Sequence, residues 1–95
     1  MYSLFSFYMD TSKEKDFREL LNNQYDWPTD YLFKFIVTKE FKHELLTTLG
    51  GHKAIEKPSS KGKYVSVSLR IKMDGADDVM ALYTKAAQVK TVISL

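Results

Sequence analysis

The sequence contains no cysteine. Disulfides, thiolate nucleophiles and cysteine-ligated zinc or iron–sulfur centres are therefore excluded. A small secreted domain usually supplements its core with disulfides, so the absence points to a reducing, cytoplasmic setting. Histidine is scarce: His43 and His52 are the only two. Neither has a second histidine at the spacing a helical metal site uses, and both read as surface or partly packed side chains. No run approaches the roughly 20 apolar residues of a membrane span. Proline occurs only at 28 and 58, and no low-complexity segment or internal repeat is present. The net charge of +2 is too small to argue for nucleic acid by itself.

What is present suits one folded core. The chain has 95 residues, 44% hydrophobic, with six Phe and six Tyr. A domain of this size buries roughly 60–65% of the surface its unfolded chain exposes, which leaves little room for a deep enclosed site. The charge is unevenly placed. Asp10, Glu14, Asp16, Glu19, Asp26 and Asp30 make the first third acidic. Lys53, Lys57, Lys61, Lys63, Arg70 and Lys72 make the middle basic, with Glu56 alone against them.

Residues 1–9 are apolar, aromatic and uncharged. They lack the basic n-region and cleavage site of a signal peptide. Residues 1–11 read as an N-terminal arm, or as upstream sequence from a misassigned start with Met9 as the first residue. Thr11 and Glu14 make a capping box. Phe17, Leu20 and Leu21 follow at helical spacing, so a short amphipathic helix is expected over 12–22, ended by Asn22-Asn23. Pro28 then holds Trp27 extended.

The run Tyr31 to Val37 is aromatic and β-branched and reads as a strand. Phe33, Phe35 and Val37 face one way, and Leu32, Lys34 and Ile36 the other. Both faces are apolar enough for a central strand. A helix is expected over 40–49, with Phe41, Leu45 and Leu49 on one side and Gly50-Gly51 closing it. Residues 52–57 read as a short strand and 58–62 as a loop. From 63 to 73 the alternation is almost unbroken. Val65, Val67, Leu69, Ile71 and Met73 point inward; Tyr64, Ser66, Ser68, Arg70 and Lys72 point outward. Asp74 is expected to cap a second helix, with Asp77 and Asp78 in its first turn and Val79, Leu82, Tyr83 and Ala86 as its stripe. A last strand is expected over 89–95.

A helix followed by β-α-β-β-α-β is the ferredoxin-like split βαβ order. The fold class is α+β: a four-stranded antiparallel sheet, the first and third strands central, two helices on one face and the extra N-terminal helix besides. The open face would then hold Leu32, Lys34, Ile36, Tyr64, Ser66, Ser68, Arg70 and Lys72, the candidate interaction face. Leu32 and Ile36 need cover there. The acidic 12–22 helix, or a second subunit, is expected to supply it.

Three blocks carry a resemblance. Trp27-Pro28-Thr29-Asp30-Tyr31-Leu32-Phe33-Lys34-Phe35-Ile36-Val37, Lys61-Gly62-Lys63-Tyr64-Val65-Ser66-Val67-Ser68 and Val89-Lys90-Thr91-Val92-Ile93-Ser94-Leu95 resemble the YbeD-like family of small bacterial proteins. The similarity is to its Bacteroidetes branch, and it extends over residues 12–95 as a single domain. The resemblance implies a ferredoxin-like fold related to ACT-type regulatory domains, and brings no catalytic residue. ACT-type domains often place a glycine after the first strand, where an amino-acid ligand lies. Here Thr38-Lys39-Glu40 occupies that turn, so amino-acid sensing is not expected.

No catalytic, metal or cofactor residues are assigned. Asp77 and Asp78 suit a helix start better than acid–base work. Asp26 and Asp30 form the other acidic pair weighed and are given no role. Ser59-Ser60 has no identifiable histidine or aspartate partner. Lys61-Gly62-Lys63 runs into a strand rather than a helix, unlike a phosphate loop. The expected function is a non-enzymatic regulatory or interaction module that binds a protein or small ligand through the open face or an edge, as a monomer or homodimer. The alternative is a nucleic-acid-associated protein using Lys34, Arg70, Lys72 and Lys90. That reading lacks a stacking platform, because Tyr64 is the one aromatic residue on the open face.

Overall fold

A computed structural model describes residues 11–95. The elements are α1 (Thr11–Gln24), β1 (Thr29–Thr38), α2 (Lys42–Thr48, entered through a 3-10 turn at Lys39–Phe41), β2 (Ile55–Pro58), β3 (Tyr64–Met73), α3 (Ala76–Ala87) and β4 (Ile93–Ser94). Of the arm expected at 1–11, residues 1–10 lie outside the described residues and Thr11 opens α1.

The strands form one four-stranded sheet in the order β2-β3-β1-β4. Every pairing is antiparallel, so the ferredoxin-like arrangement expected from the element order is what the chain adopts. The central pair runs in register from Thr29 opposite Met73 to Thr38 opposite Tyr64. Period-two alternation then divides both strands cleanly. Tyr31, Phe33, Phe35 and Val37 from β1 and Val65, Val67, Leu69, Ile71 and Met73 from β3 enter one buried cluster with Leu45, Leu49, Val79, Tyr83 and Ala86 from the helical side. Gly50 and Gly51 close α2 with φ of 95° and 71°, values that residues with a Cβ rarely adopt.

α1 departs from expectation in place as well as length. It continues past Asn22-Asn23 to Gln24, and Tyr25 N–H still bonds the Leu21 carbonyl at 3.0 Å. Asn22 does not stop the helix; its Oδ1 accepts a hydrogen bond from Trp27 Nε1 at 2.9 Å. More importantly, α1 does not cover the open face. Phe17 and Leu21 are buried in the helical-side cluster. The Phe17 ring meets Tyr83 of α3 edge-on at 6.0 Å, and Arg18 pairs with Asp77 at 2.7 Å. The physical reason is the relative size of the terms. Burying each of those side chains is worth about 1.5–3 kcal/mol. Surface attraction between an acidic helix and scattered lysines is worth about 0–1 kcal/mol per pair.

Three local expectations also change. Gly75, not Asp74, is the N-cap of α3, and it makes no side-chain cap bond. Pro58, expected in a loop, is the last residue of β2 and pairs with Val65. The strand expected over 89–95 shrinks to Ile93–Ser94. Val89 N–H bonds the Ala86 carbonyl at 3.1 Å and Val92 N–H the Val89 carbonyl at 3.4 Å, so residues 89–92 turn rather than extend.

Candidate functional site

With all three α-helices on one side, the other face of the sheet is left uncovered among the described residues. Pairing register fixes what shares it. Leu32 stands opposite Arg70, Lys34 opposite Ser68, Ile36 opposite Ser66 and Asp30 opposite Lys72. On one flank β2 brings Ile55 beside Ser68 and Lys57 beside Ser66. On the other, β4 sets Ile93 beside Ile36. Leu95 follows by alternation, its N–H bonded to the Lys34 carbonyl at 2.9 Å. The eight residues expected on this face, Leu32, Lys34, Ile36, Tyr64, Ser66, Ser68, Arg70 and Lys72, are all there.

The structure adds Asp30, Ile55, Lys57, Ile93 and Leu95, which sequence reasoning missed. Ile55 and Lys57 stand two apart, the one available signal, in a segment otherwise too polar to fix its orientation. The C-terminal pair was hidden by the turn that precedes it.

This face has an unusual surface chemistry. Among the described residues, the exposed large hydrophobic ones are Leu20, Leu32, Ile55, Tyr64, Ile93 and Leu95. All but Leu20 lie on the open face, and Ile55 is 77% exposed. Among them stand Lys34, Lys57, Arg70 and Lys72, with Asp30 as the one acid. The ion pairs among the described residues are Arg18–Asp77 and Lys42–Glu56, so none of these four cations is in an ion pair among the described residues. Electrostatically the face is a positive field over an aliphatic floor.

Its relief follows from side-chain size. Ser66 and Ser68 are short, and Ser66 Oγ donates to the Lys57 carbonyl at 3.3 Å. They leave a trough along β3 between the longer side chains of β1 and β2. At one end it deepens into a depression of about 190 Å³ lined by Ile36, Lys57, Pro58, Ser59, Tyr64 and Ser66. Ser59 closes the β2–β3 hairpin: its Oγ accepts from Tyr64 N–H at 3.1 Å, and its N–H donates to the Tyr64 carbonyl at 2.8 Å. Lys63 Nζ sits 5.5 Å from the centre of the Tyr64 ring.

The perturbed titratable groups lie elsewhere. The Tyr31 and Tyr83 hydroxyls share a 3.0 Å hydrogen bond under the helices. Burial pushes both phenols above their ordinary value. Their mutual hydrogen bond pulls Tyr31 partly back and raises Tyr83 further. They have no access to the open face, so the pair is a packing feature. Among the described residues no group of His, Asp and Glu is placed to hold a metal ion. No described helix is long and apolar enough to cross a membrane.

A family model described as "Protein of unknown function" matches residues 22–95. The match takes in the whole sheet, α2 and α3, and begins near the end of α1. Neither a curated protein nor a solved structure matches the chain significantly.

Proposed function

The chain belongs to the DUF493 family, whose function is unknown, and from its own surface we propose that it is a non-enzymatic binding module of the cytoplasm. Its open sheet face docks a partner protein. The observation that carries this reading is the gathering of Leu32, Ile55, Tyr64, Ile93 and Leu95 on one face. Apolar residues scattered singly over a surface need no explanation, but five exposed large ones gathered on one sheet face and interleaved with cations suit an interaction surface. The absence of cysteine supports the compartment. A nucleic-acid reading draws on Lys34, Arg70 and Lys72 of the same face, with Lys90. It is weaker because, among the described residues, Tyr64 alone offers a ring on this face, and Lys63 already sits over that ring.

Photo-crosslinking tests the face directly. A photoreactive amino acid at Ser68, in the trough, is compared with one at Glu19, on the exposed side of α1, in cells and after nuclease treatment. The expected result is a discrete, nuclease-resistant protein adduct from Ser68 and none from Glu19. Adducts from Glu19 alone, or from both positions equally, overturn the assignment. Loss of the Ser68 adduct on nuclease treatment transfers it to nucleic acid.

A further inference from the structure

Taking the open face as the docking surface, which rests on the reading above, its chemistry narrows the occupant. A second copy of this chain fits poorly. A symmetric face-to-face dimer would set Lys34, Lys57, Arg70 and Lys72 against themselves with only Asp30 to compensate. A face-to-α1 contact would satisfy the charges but is head-to-tail, and such contacts build open polymers unless the rotation closes. Addition of a strand at the β2 edge is also disfavoured. Pro58 has no N–H to offer, and lysines along the edge are the usual protection against pairing.

The trough lies along β3, whose ten residues span about 34 Å at the antiparallel rise, and its low part is the Ser66–Ser68 step between Tyr64 and Arg70. A helix is about 10–12 Å across with its side chains, which is the reach of two to three strands. Its floor is Ser66 and Ser68, small enough to let a helix approach. Its walls are Leu32 and Ile36 on one side and Ile55 on the other. The depression beside Ile36, Pro58 and Tyr64 is an anchor point for one large apolar side chain. The cations are spread along the trough: Lys57 beside Ser66, Lys34 beside Ser68, and Arg70 and Lys72 continuing the line of β3.

We propose that the occupant is an acidic amphipathic α-helix of a partner protein. It lies along β3 with its apolar stripe on Ile36, Ile55 and Leu32 and its carboxylates against Lys34, Lys57, Arg70 and Lys72. This would give the sheet a second helical layer, which the described residues do not provide. The aliphatic walls bury apolar area, while the charges set orientation and exclude basic partners.

The test uses the full chain, isotope-labelled, titrated with synthetic peptides of about five helical turns, ~18 residues. One carries a leucine stripe flanked by glutamates. A second replaces each glutamate by lysine, and a third is a scramble of the first that destroys the stripe. A single-stranded RNA oligonucleotide is the fourth probe. The acidic helix is expected to bind at least roughly tenfold tighter than the lysine version, weakening with salt. Its amide shifts should centre on Leu32, Ser66 and Ser68. The double variant Lys34→Glu/Arg70→Glu, checked for an unchanged fold, should invert the preference. Equal binding of the two charge versions overturns the proposal. So does equal binding of the scramble, tighter binding of the RNA, or shifts centred on α1. If the Ser68 photo-adduct persists while the acidic helix fails to bind, only the occupant is wrong. If the Ser68 adduct itself is missing, the docking face falls with it.

Discussion

Leu32 and Phe33 are neighbours on β1, yet Phe33 is fully buried and Leu32 is 40% exposed. That contrast repeats along the strand and across the sheet. The helical side is closed by rings: Tyr31 lies 4.7 Å from Phe33, and Phe33 lies 5.2 Å from Tyr83. The open side mixes aliphatic residues with cations that form no ion pair among the described residues. One strand therefore serves as core on one face and on the other carries a surface with the composition of an interface. Packing under the helices accounts for the apolar residues on one face of β1 and leaves those on the other face, Leu32 and Ile36, without cover among the described residues.

Truncating each face is the strongest way to break this comparison. Phe33→Ala should cost about 3–5 kcal/mol in chemical denaturation, whereas Leu32→Ala should stay within about 1 kcal/mol because 40% of its surface already meets water. Equal costs would mean that the open face is stability core after all. A smaller effect sharpens the helical side. Tyr83→Phe should cost about 1–2 kcal/mol by removing the hydrogen bond of the buried Tyr31 hydroxyl, and Tyr31→Phe/Tyr83→Phe should recover part of that loss. The same pair sets an alkaline limit. Both phenols are raised in the folded chain, so the unfolded chain releases its protons first. Their contribution is intact below about pH 10 and is lost as pH rises beyond it. Melting temperature should fall more between about pH 9 and about pH 11 in the wild type than in the double phenylalanine variant. The smallest effect belongs to Arg18→Ala. Its partner Asp77 has an 81% exposed side chain, so the loss should be within about 0.5 kcal/mol. A larger loss would mean that α1 is held by charge rather than by Phe17 and Leu21.

Much of this architecture is legible in the residues. The alternation from Val65 to Met73 sets the orientation of β3, and the same alternation in β1 puts Leu32, Lys34 and Ile36 on the open side. Gly50-Gly51 marks the end of α2 because the turn there needs positive φ. The position of α1 is not legible, because it depends on a contact between Phe17 and Tyr83, distant in sequence, that no local pattern encodes. The acidic surface of α1 does not draw it to Lys34, Arg70 and Lys72, because long-range charge is worth little beside a buried ring. The extent of β4 is hidden for a different reason. Val89 and Val92 have strand-forming side chains, but Val89 is drawn into the core at the end of α3, which bends the chain before it can pair.

That bend has a consequence at the edge of the open face. Thr91 sits at φ 69°, a strained conformation for a β-branched residue. Its Oγ1 accepts from Thr38 N–H at 3.1 Å and lies 2.9 Å from the Thr38 hydroxyl. Beyond this clamp β4 pairs with β1 only at Ser94 and Ile93. A strand held so briefly breathes at lower free energy than the central pair, and its amides exchange with solvent ahead of theirs. Ile93 and Leu95 ride on it. That wall of the open face should therefore lift before the central pair, and an occupant that touches it should register as slowed exchange at the Leu95 amide before any change in the core.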